Sequence, residues 1–335
     1  MTSSSNFKRF HPHRTTPEVR SQMAQVSLHP GDFILPLFVI TGKNRKEIIP
    51  TLEGVFRWSV DRVREAVEPA LALGIEKFLL FGVIPDNQKT PLASGSREPQ
   101  GPIPQALTSL RRDFPQAILI TDVCLCAYTD HGHCGLITPE GVVENDSTLP
   151  LLAQMALAHA KAGAHWVAPS AMMDGQVQVI RRVLDQEGYP EVKVLGYSAK
   201  FSSHLYGPFR DAAGSAPAFG DRKTYQMDYR VSDQALEEIQ ADLEEGAEAV
   251  MVKPAHWYQD IIARGKLLHP QALLAAYQVS GEFMMIHQGA KAGLFPYGDA
   301  LLEALFGLKR SGADWIITYG ALDAANLLGE SRGGK

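Results

Sequence analysis

In Glu244-Glu245-Gly246-Ala247-Glu248-Ala249-Val250-Met251-Val252-Lys253-Pro254 a polar helical stretch ends on a glycine, crosses two residues and enters a short apolar run. The glycine suits the left-handed position that closes a helix. The run after it is apolar on successive residues rather than alternate ones, which is how a parallel strand buried on both faces reads. The phrase recurs: Gly74 leads into FLLFGV, Gly163-Ala164-His165 into WVAPS and Gly312-Ala313-Asp314 into WIITYG. Strands gathered this way lie near 33–40, 77–83, 117–124, 166–170, 192–199, 248–253, 273–280 and 314–319. Helical patterns sit between most of them. Leu149–Ala162 has apolar residues at 149, 151, 152, 155 and 157, and Ser232–Glu245 opens on a serine placed to cap it. Eight strands alternating with helices over about 300 residues predict an α/β fold, a (β/α)8 TIM barrel. The alternative is an open doubly wound sheet, which would carry a glycine fingerprint in its first strand–helix turn; neither GxGxxG nor GxxxxGK[ST] is present.

The 335 residues fit one large domain or two small ones. With 45% apolar and 21% charged residues the chain is globular rather than disordered or fibrous. Its net charge is 32 − 37 = −5, with no basic face that announces nucleic acid and no basic amphipathic segment for a membrane surface. No apolar run approaches the ~18 residues of a membrane span. The start, MTSSSNFKRFHPHR, lacks the apolar centre of a signal peptide, so a cytoplasmic protein is expected. Two stretches break the barrel rhythm. Residues 1–29 are polar and read as a frayed tail or as an N-terminal arm that packs on another subunit; residues 30–335 then form the barrel. Residues 201–230 are rich in glycine, aromatics and charge, and 201–228 are taken as an active-site lid.

An active site in this fold lies at the C-terminal strand ends. There the predicted strands deliver Asp122 and Cys124, then Ser170, Ser198 and Lys200, Lys253, Ser280, and Tyr319. Cys124, Cys126 and Cys134 are the chain's three cysteines, all within eleven residues. That clustering is no disulfide framework. Asp122, Cys124 and Cys126 alternate, so on an extended segment they share a face. Three thiolates can converge on one Zn2+ and leave a fourth position open; three buried structural thiols are the plainer alternative. His131 and His133 are near enough to be ligands or donors behind them, and His133 is the best fourth ligand for a closed structural site. Lys200 and Lys253, on adjacent strands, read as a pair whose mutual repulsion and burial free an amine for Schiff-base chemistry; a salt-bridged side chain is what either alone would suggest. Arg210 and Arg222 on the lid are forks for a carboxylate, or a solvated charge run. Ser280 and Tyr319 offer hydroxyls at the opposite end.

The strings DVCLCAYTDHGHCG (122–135), YSAKFSSHLYGPFRDAAGSAPAFGDRKTYQMD (197–228), MVKP (251–254), VSGE (279–282) and ITY (317–319) resemble the porphobilinogen synthase, or 5-aminolevulinate dehydratase, family from about residue 30 to 320. The resemblance implies a (β/α)8 barrel with an N-terminal arm, assembly to a homo-octamer, and condensation of two 5-aminolevulinate molecules to porphobilinogen with loss of two waters, on the route to haem and other tetrapyrroles. It implies that Lys253 and Lys200 hold the propionate-side and acetate-side substrates, and that Asp122 assists proton transfer. It places Arg210, Arg222 and Gln226 on one carboxylate, Ser280 and Tyr319 on the other, and Ser170, Phe209 and Tyr206 against substrate. It makes Cys124, Cys126 and Cys134 ligands of Zn2+, as in the zinc-dependent branch. Glu238, fifteen residues before Lys253, stands where magnesium-responsive members bind an allosteric Mg2+; an exposed helical glutamate is the plainer reading. Ala171 stands where the family usually has an aspartate, which implies a slower enzyme or another acid in its place. Competing readings are a Schiff-base aldolase on the same barrel, needing one lysine and no zinc, and a non-enzymatic zinc-binding scaffold.

Overall fold

A computed structural model describes residues 7–333, so the first six residues of the expected arm lie outside the described ones. The barrel strands are β1 (Phe33–Ile40), β2 (Lys77–Val83), β3 (Ile118–Val123), β4 (Trp166–Pro169), β5 (Lys193–Lys200), β6 (Ala249–Lys253), β7 (Leu273–Tyr277) and β8 (Trp315–Ile317). Each pairs in parallel with the next, and β8 pairs with β1, Phe33 opposite Ile316. That closure excludes the open sheet. All eight predicted strands are present, within three residues of their expected ends.

The helices are α1 (Pro17–Met23), α2 (Arg64–Ala72), α3 (Pro102–Asp113), α4 (Asn145–Lys161), α5 (Gln176–Gln186), α6 (Gly207–Ala213), α7 (Asp233–Glu244), α8 (Gln259–Leu268), α9 (Ser280–Lys291), α10 (Tyr297–Arg310) and α11 (Ala321–Gly333). Alternation within each strand divides the core in two. Ile34, Phe38, Leu79, Phe81, Ile120, Leu195, Tyr197, Met251 and Tyr277 fill the barrel interior. Phe33, Leu35, Leu37, Phe78, Leu80, Leu119 and Val250 face outward and meet the helices. Both faces are buried, which is why the runs read as continuously apolar.

Several local expectations change. α4 begins at Asn145, a turn before its apolar pattern starts. Ser232 precedes α7 but does not cap it, because its hydroxyl faces Asp233 and Arg264 instead of a backbone N–H. An antiparallel hairpin, Lys46–Ile48 with Phe56–Ser59, was not expected and lies beside β1. Between Val250 and Val252 the β5–β6 register slips, so that Val250 faces Gly196 and Val252 faces Ala199. One extra residue of β5 is bulged out there. The described part of the arm, residues 7–29, carries α1 and one 3-10 turn and is exposed nearly throughout except at Leu28, which is buried in the core.

Candidate active site

The bulge in β5 decides where Lys200 points. Leu195 and Tyr197 face inward, so strict alternation would turn Lys200 outward. The extra residue reverses the parity and returns Lys200 to the barrel mouth, directly opposite Lys253 across the β5–β6 ladder. Gly196 starts the bulge, and a Cβ on it would strike the buried Asp242 carboxylate of α7. Both lysines are about 95% buried. The Lys253 ammonium nitrogen lies 4.1 Å from the ring centre of Tyr277, 4.9 Å from Phe209, 5.0 Å from Tyr197 and 5.5 Å from Tyr206. Lys200 donates to the Ser170 carbonyl and sits 5.6 Å from the Tyr197 ring. Burial, and next the Lys200 charge, pull Lys253 down to about 7, with Asp122 opposing. A group so poised offers a free amine at neutral pH. Asp122, on β3, is pushed up by burial against the pull of Ser170, Lys200 and Lys253.

The cysteines converge, but not along a strand. β3 stops at Val123, and a turn follows in which Tyr128 and Thr129 donate backbone bonds to Leu125. That turn, not alternation, brings Cys126 back to 3.4 Å from Cys124. The three sulfurs lie within 4.8 Å of one another, and among the described residues this is the one cluster of three or more His, Cys, Asp or Glu ligand atoms. All three are buried and free of disulfides. Hydrogen bonds from Cys124 and Cys126 hold the Cys134 thiol well below its ordinary range, while Cys124 is pushed up by its bonds to the other two. One thiolate is thus already favoured, and a dication would stabilise the other two. His133, the candidate fourth ligand of a closed site, stands outside this cluster. Its ring nitrogens contact the Tyr225 hydroxyl and the Phe219 carbonyl, both at 3.1 Å, so the lid claims it. His131 accepts from the His133 N–H at 3.1 Å and likewise stands outside the sulfur cluster.

The lid is not a bare loop. It holds a 3-10 turn (His204–Tyr206) and α6, and its end returns to β5, where Met227 N–H donates to the Lys200 carbonyl. Arg57 of the unexpected hairpin donates to the Asp211 and Ala212 carbonyls at 2.6 and 2.7 Å, pinning α6 down. Gly132, with φ +72°, lets the cysteine loop approach the lid; a side chain there would strike the Ala216 carbonyl. Arg222 is buried and donates to the Gly132 and Ser215 carbonyls. Its burial opposes the charge, yet the Cys134 and Cys126 sulfurs outweigh that and raise its pKa. Arg210 is pulled down by burial and by Arg222. Nε of both arginines, and both amide atoms of Gln226, are buried without a hydrogen-bond partner. Unsatisfied groups of this kind cost free energy until a ligand meets them.

At the opposite end the hydroxyls of Ser280, Tyr319 and Tyr206 are already bonded, while that of Tyr197 is buried without a partner. Ser280, the first residue of α9, accepts from the Phe209 N–H at 2.9 Å and donates to the Leu205 carbonyl at 3.4 Å. The Tyr319 and Tyr277 hydroxyls lie 3.2 Å apart. Tyr206 donates to the Phe201 carbonyl at 2.7 Å and to that of Lys253 at 3.2 Å. Glu238 stands apart from this mouth, on α7, beside a hollow of about 360 Å³ that Asp174, Glu237, Asp242 and Glu245 also line. Burial and Asp174 push its carboxyl up. Ala171 is wholly buried in the apolar layer between barrel and helices.

A family model described as "Delta-aminolevulinic acid dehydratase" matches residues 7–327. A Bacillus subtilis protein named "Delta-aminolevulinic acid dehydratase" is 44% identical over 329 residues, covering 98% of this chain and all of that protein. One of the same name from Bos taurus is 44% identical over 299 residues, 89% of this chain and 91% of that one. The solved structure of the Toxoplasma gondii dehydratase, bound to its product porphobilinogen, superposes with a TM-score of 0.95 at 38% identity, covering 98% of this chain and 93% of that chain.

Proposed function

The chain belongs to the delta-aminolevulinic acid dehydratase family and is a lyase that makes porphobilinogen; on that premise we propose that Lys253 and Lys200 each hold one 5-aminolevulinate as a Schiff base while the two are joined. The observation that carries this reading is the facing of two buried lysines across β5 and β6 at the barrel mouth. The neutral Lys253 amine attacks the ketone carbon of one substrate, and the carbinolamine loses water to give the imine. The second substrate is bound through Lys200 in the same way. Joining the two through one carbon–carbon and one carbon–nitrogen bond returns both amines, so two 5-aminolevulinates leave as one porphobilinogen and two waters. Asp122 beside both lysines takes and returns protons, its carboxyl raised by burial above the usual carboxylate range. Arg210, Arg222 and Gln226 grip the carboxylate of the Lys200-bound substrate, where their unpartnered atoms wait. Ser280 and Tyr319 receive that of the Lys253-bound substrate, with Phe209 and Tyr206 as walls and Ser170 beside Lys200.

Cys124, Cys126 and Cys134 are the residues that would hold Zn2+, and the mutual distances of their sulfurs fit that ion. A zinc balanced by three thiolates is a modest Lewis acid that would orient a substrate amine or carbonyl. Glu238 would hold Mg2+ through a single carboxylate and retained waters. We place assembly at a homo-octamer, joined through the arm, and the enzyme in the cytoplasm, where three free cysteines stay reduced. Among the described residues no helix is long and apolar enough to cross a membrane. The test of the reading is porphobilinogen formation from 5-aminolevulinate with and without a zinc chelator. Formation that chelation abolishes and Zn2+ restores supports it; formation untouched by chelation removes zinc from the reaction.

A further inference from the structure

Behind the Lys253 half of the mouth lies a buried polar chain that touches no substrate-facing atom. Glu282, in the first turn of α9, is 96% buried. Its carboxylate accepts from the backbone N–H of Val279 at 2.9 Å and of His256 at 2.8 Å, with Ala255 at 3.4 Å. The first of these sits immediately before Ser280; the other two belong to the turn that follows Lys253-Pro254. The His256 ring meets the wholly buried Gln278 amide nitrogen at 2.9 Å. Burial depresses the His256 pKa to about 4, so the ring is neutral and Nε2 accepts. The other end of the Gln278 amide accepts from the Thr318 hydroxyl at 2.5 Å, and Thr318 in turn accepts from the Gly320 N–H at 3.0 Å, on either side of Tyr319.

Three strand ends, β6, β7 and β8, are thus tied by side chains in addition to the backbone bonds of the sheet. A buried carboxylate met by backbone donors and no cation is costly for a helix start that a serine could cap. What it adds is reach, since one carboxylate spans from the α9 start to the turn after Lys253. We propose that Glu282 and Gln278 are positioning residues: they lock the 254–257 turn, the start of α9 and the 318–320 turn into one frame, so that Lys253, Ser280 and Tyr319 meet a single 5-aminolevulinate as a preformed set. This rests on the assignment of Lys253 as an imine-forming lysine.

The test compares wild type with Glu282→Gln, which turns one acceptor into a donor facing backbone N–H groups, and with Thr318→Val, which severs Gln278 from the 318–320 turn at constant shape. Each is incubated with 5-aminolevulinate, reduced with borohydride, and the labelled peptides containing Lys253 and Lys200 are quantified beside kcat, KM and zinc content. The expected result is Lys253 labelling slowed about tenfold or more in Glu282→Gln and about threefold in Thr318→Val, with kcat falling in step and zinc content unchanged. Wild-type Lys253 labelling and kcat per folded molecule, in both variants or in whichever one folds, overturns the proposal even where thermal stability has dropped. Wild-type enzyme that makes porphobilinogen with no label on Lys253 is a different failure: it removes the lysine assignment, and this inference with it.

Discussion

The two carboxylate-holding ends of the mouth are built in opposite ways. The Lys253 end joins strand ends and the first turn of α9 to the first residues of the lid, and there the hydroxyls of Ser280, Tyr319 and Tyr206 are already bonded, Ser280 to Phe209 and Leu205, Tyr319 to Tyr277, Tyr206 to the carbonyls of Phe201 and Lys253, with the Tyr197 hydroxyl between the two lysines left unpaired. The Lys200 end is closed by the lid, and there Arg210, Arg222 and Gln226 bury polar atoms with nothing to bond. A satisfied site is preorganised for its ligand, whereas an unsatisfied one stores desolvation that only a ligand relieves. The substrate on Lys253 therefore enters a ready pocket, and the second completes the lid.

The largest break in this comparison comes from the lysines. Lys253→Ala should reduce porphobilinogen formation to background. Lys200→Ala should lose nearly all of it while substrate can still be trapped on Lys253, because the ready half survives. A Lys200 variant at wild-type rate would end the two-lysine account.

The arginines come next. Each contributes a charge-assisted bond of about 1.5–3 kcal/mol, so Arg222→Ala or Arg210→Ala should raise KM about ten- to a hundredfold with a smaller effect on kcat. The lid, residues 201–228, should also become less protected from proteases in saturating substrate than in wild type. Steady-state kinetics and limited proteolysis check both; an unchanged KM would mean that the arginines do not grip the substrate carboxylate.

A pH profile sharpens the contrast further. Lys253 is depressed to about 7 in the fold. Below that value the amine is protonated and its lone pair is occupied, so imine formation on Lys253 should fall about tenfold per pH unit; above it the rate should level off. A rate that keeps rising toward the ordinary lysine range would show that burial and Lys200 do not tune this amine. The smallest effect on chemistry is expected from the arm. Deleting residues 1–25 should leave the barrel folded and the zinc bound but yield a species smaller than an octamer by light scattering, with activity lowered only through a loosened lid. A fully active monomer would separate the arm from the lid.

Much of this was legible because barrel strands announce themselves. Runs buried on both faces marked all eight strands, four of them entered through the glycines Gly74, Gly163, Gly246 and Gly312, and reactive residues at the strand ends marked the mouth. What escaped the sequence reading depends on departures from regular geometry. Alternation alone turns Lys200 away from the barrel, and the bulge beside Gly196 that restores it has no signature in a single apolar run. Cys126 reaches Cys124 through a turn that the alternating letters hide. His133 looked like a ligand because it neighbours Cys134, but long-range contacts to Phe219 and Tyr225 decide its role. Arg57, which pins α6, is an ordinary arginine until the hairpin folds beside the lid. Glu282 did leave a trace: a glutamate in the first turn of a helix, three residues after Val279, is the capping position from which its carboxylate reaches back.

The central claim is that two facing lysines each carry a substrate. Borohydride reduction of the zinc-loaded enzyme in saturating 5-aminolevulinate, followed by mass analysis of its peptides, tests it most directly. The account predicts label on Lys253 and on Lys200, with Lys253 labelled first as substrate is titrated in. Label on one lysine only, at every substrate concentration, would contradict it.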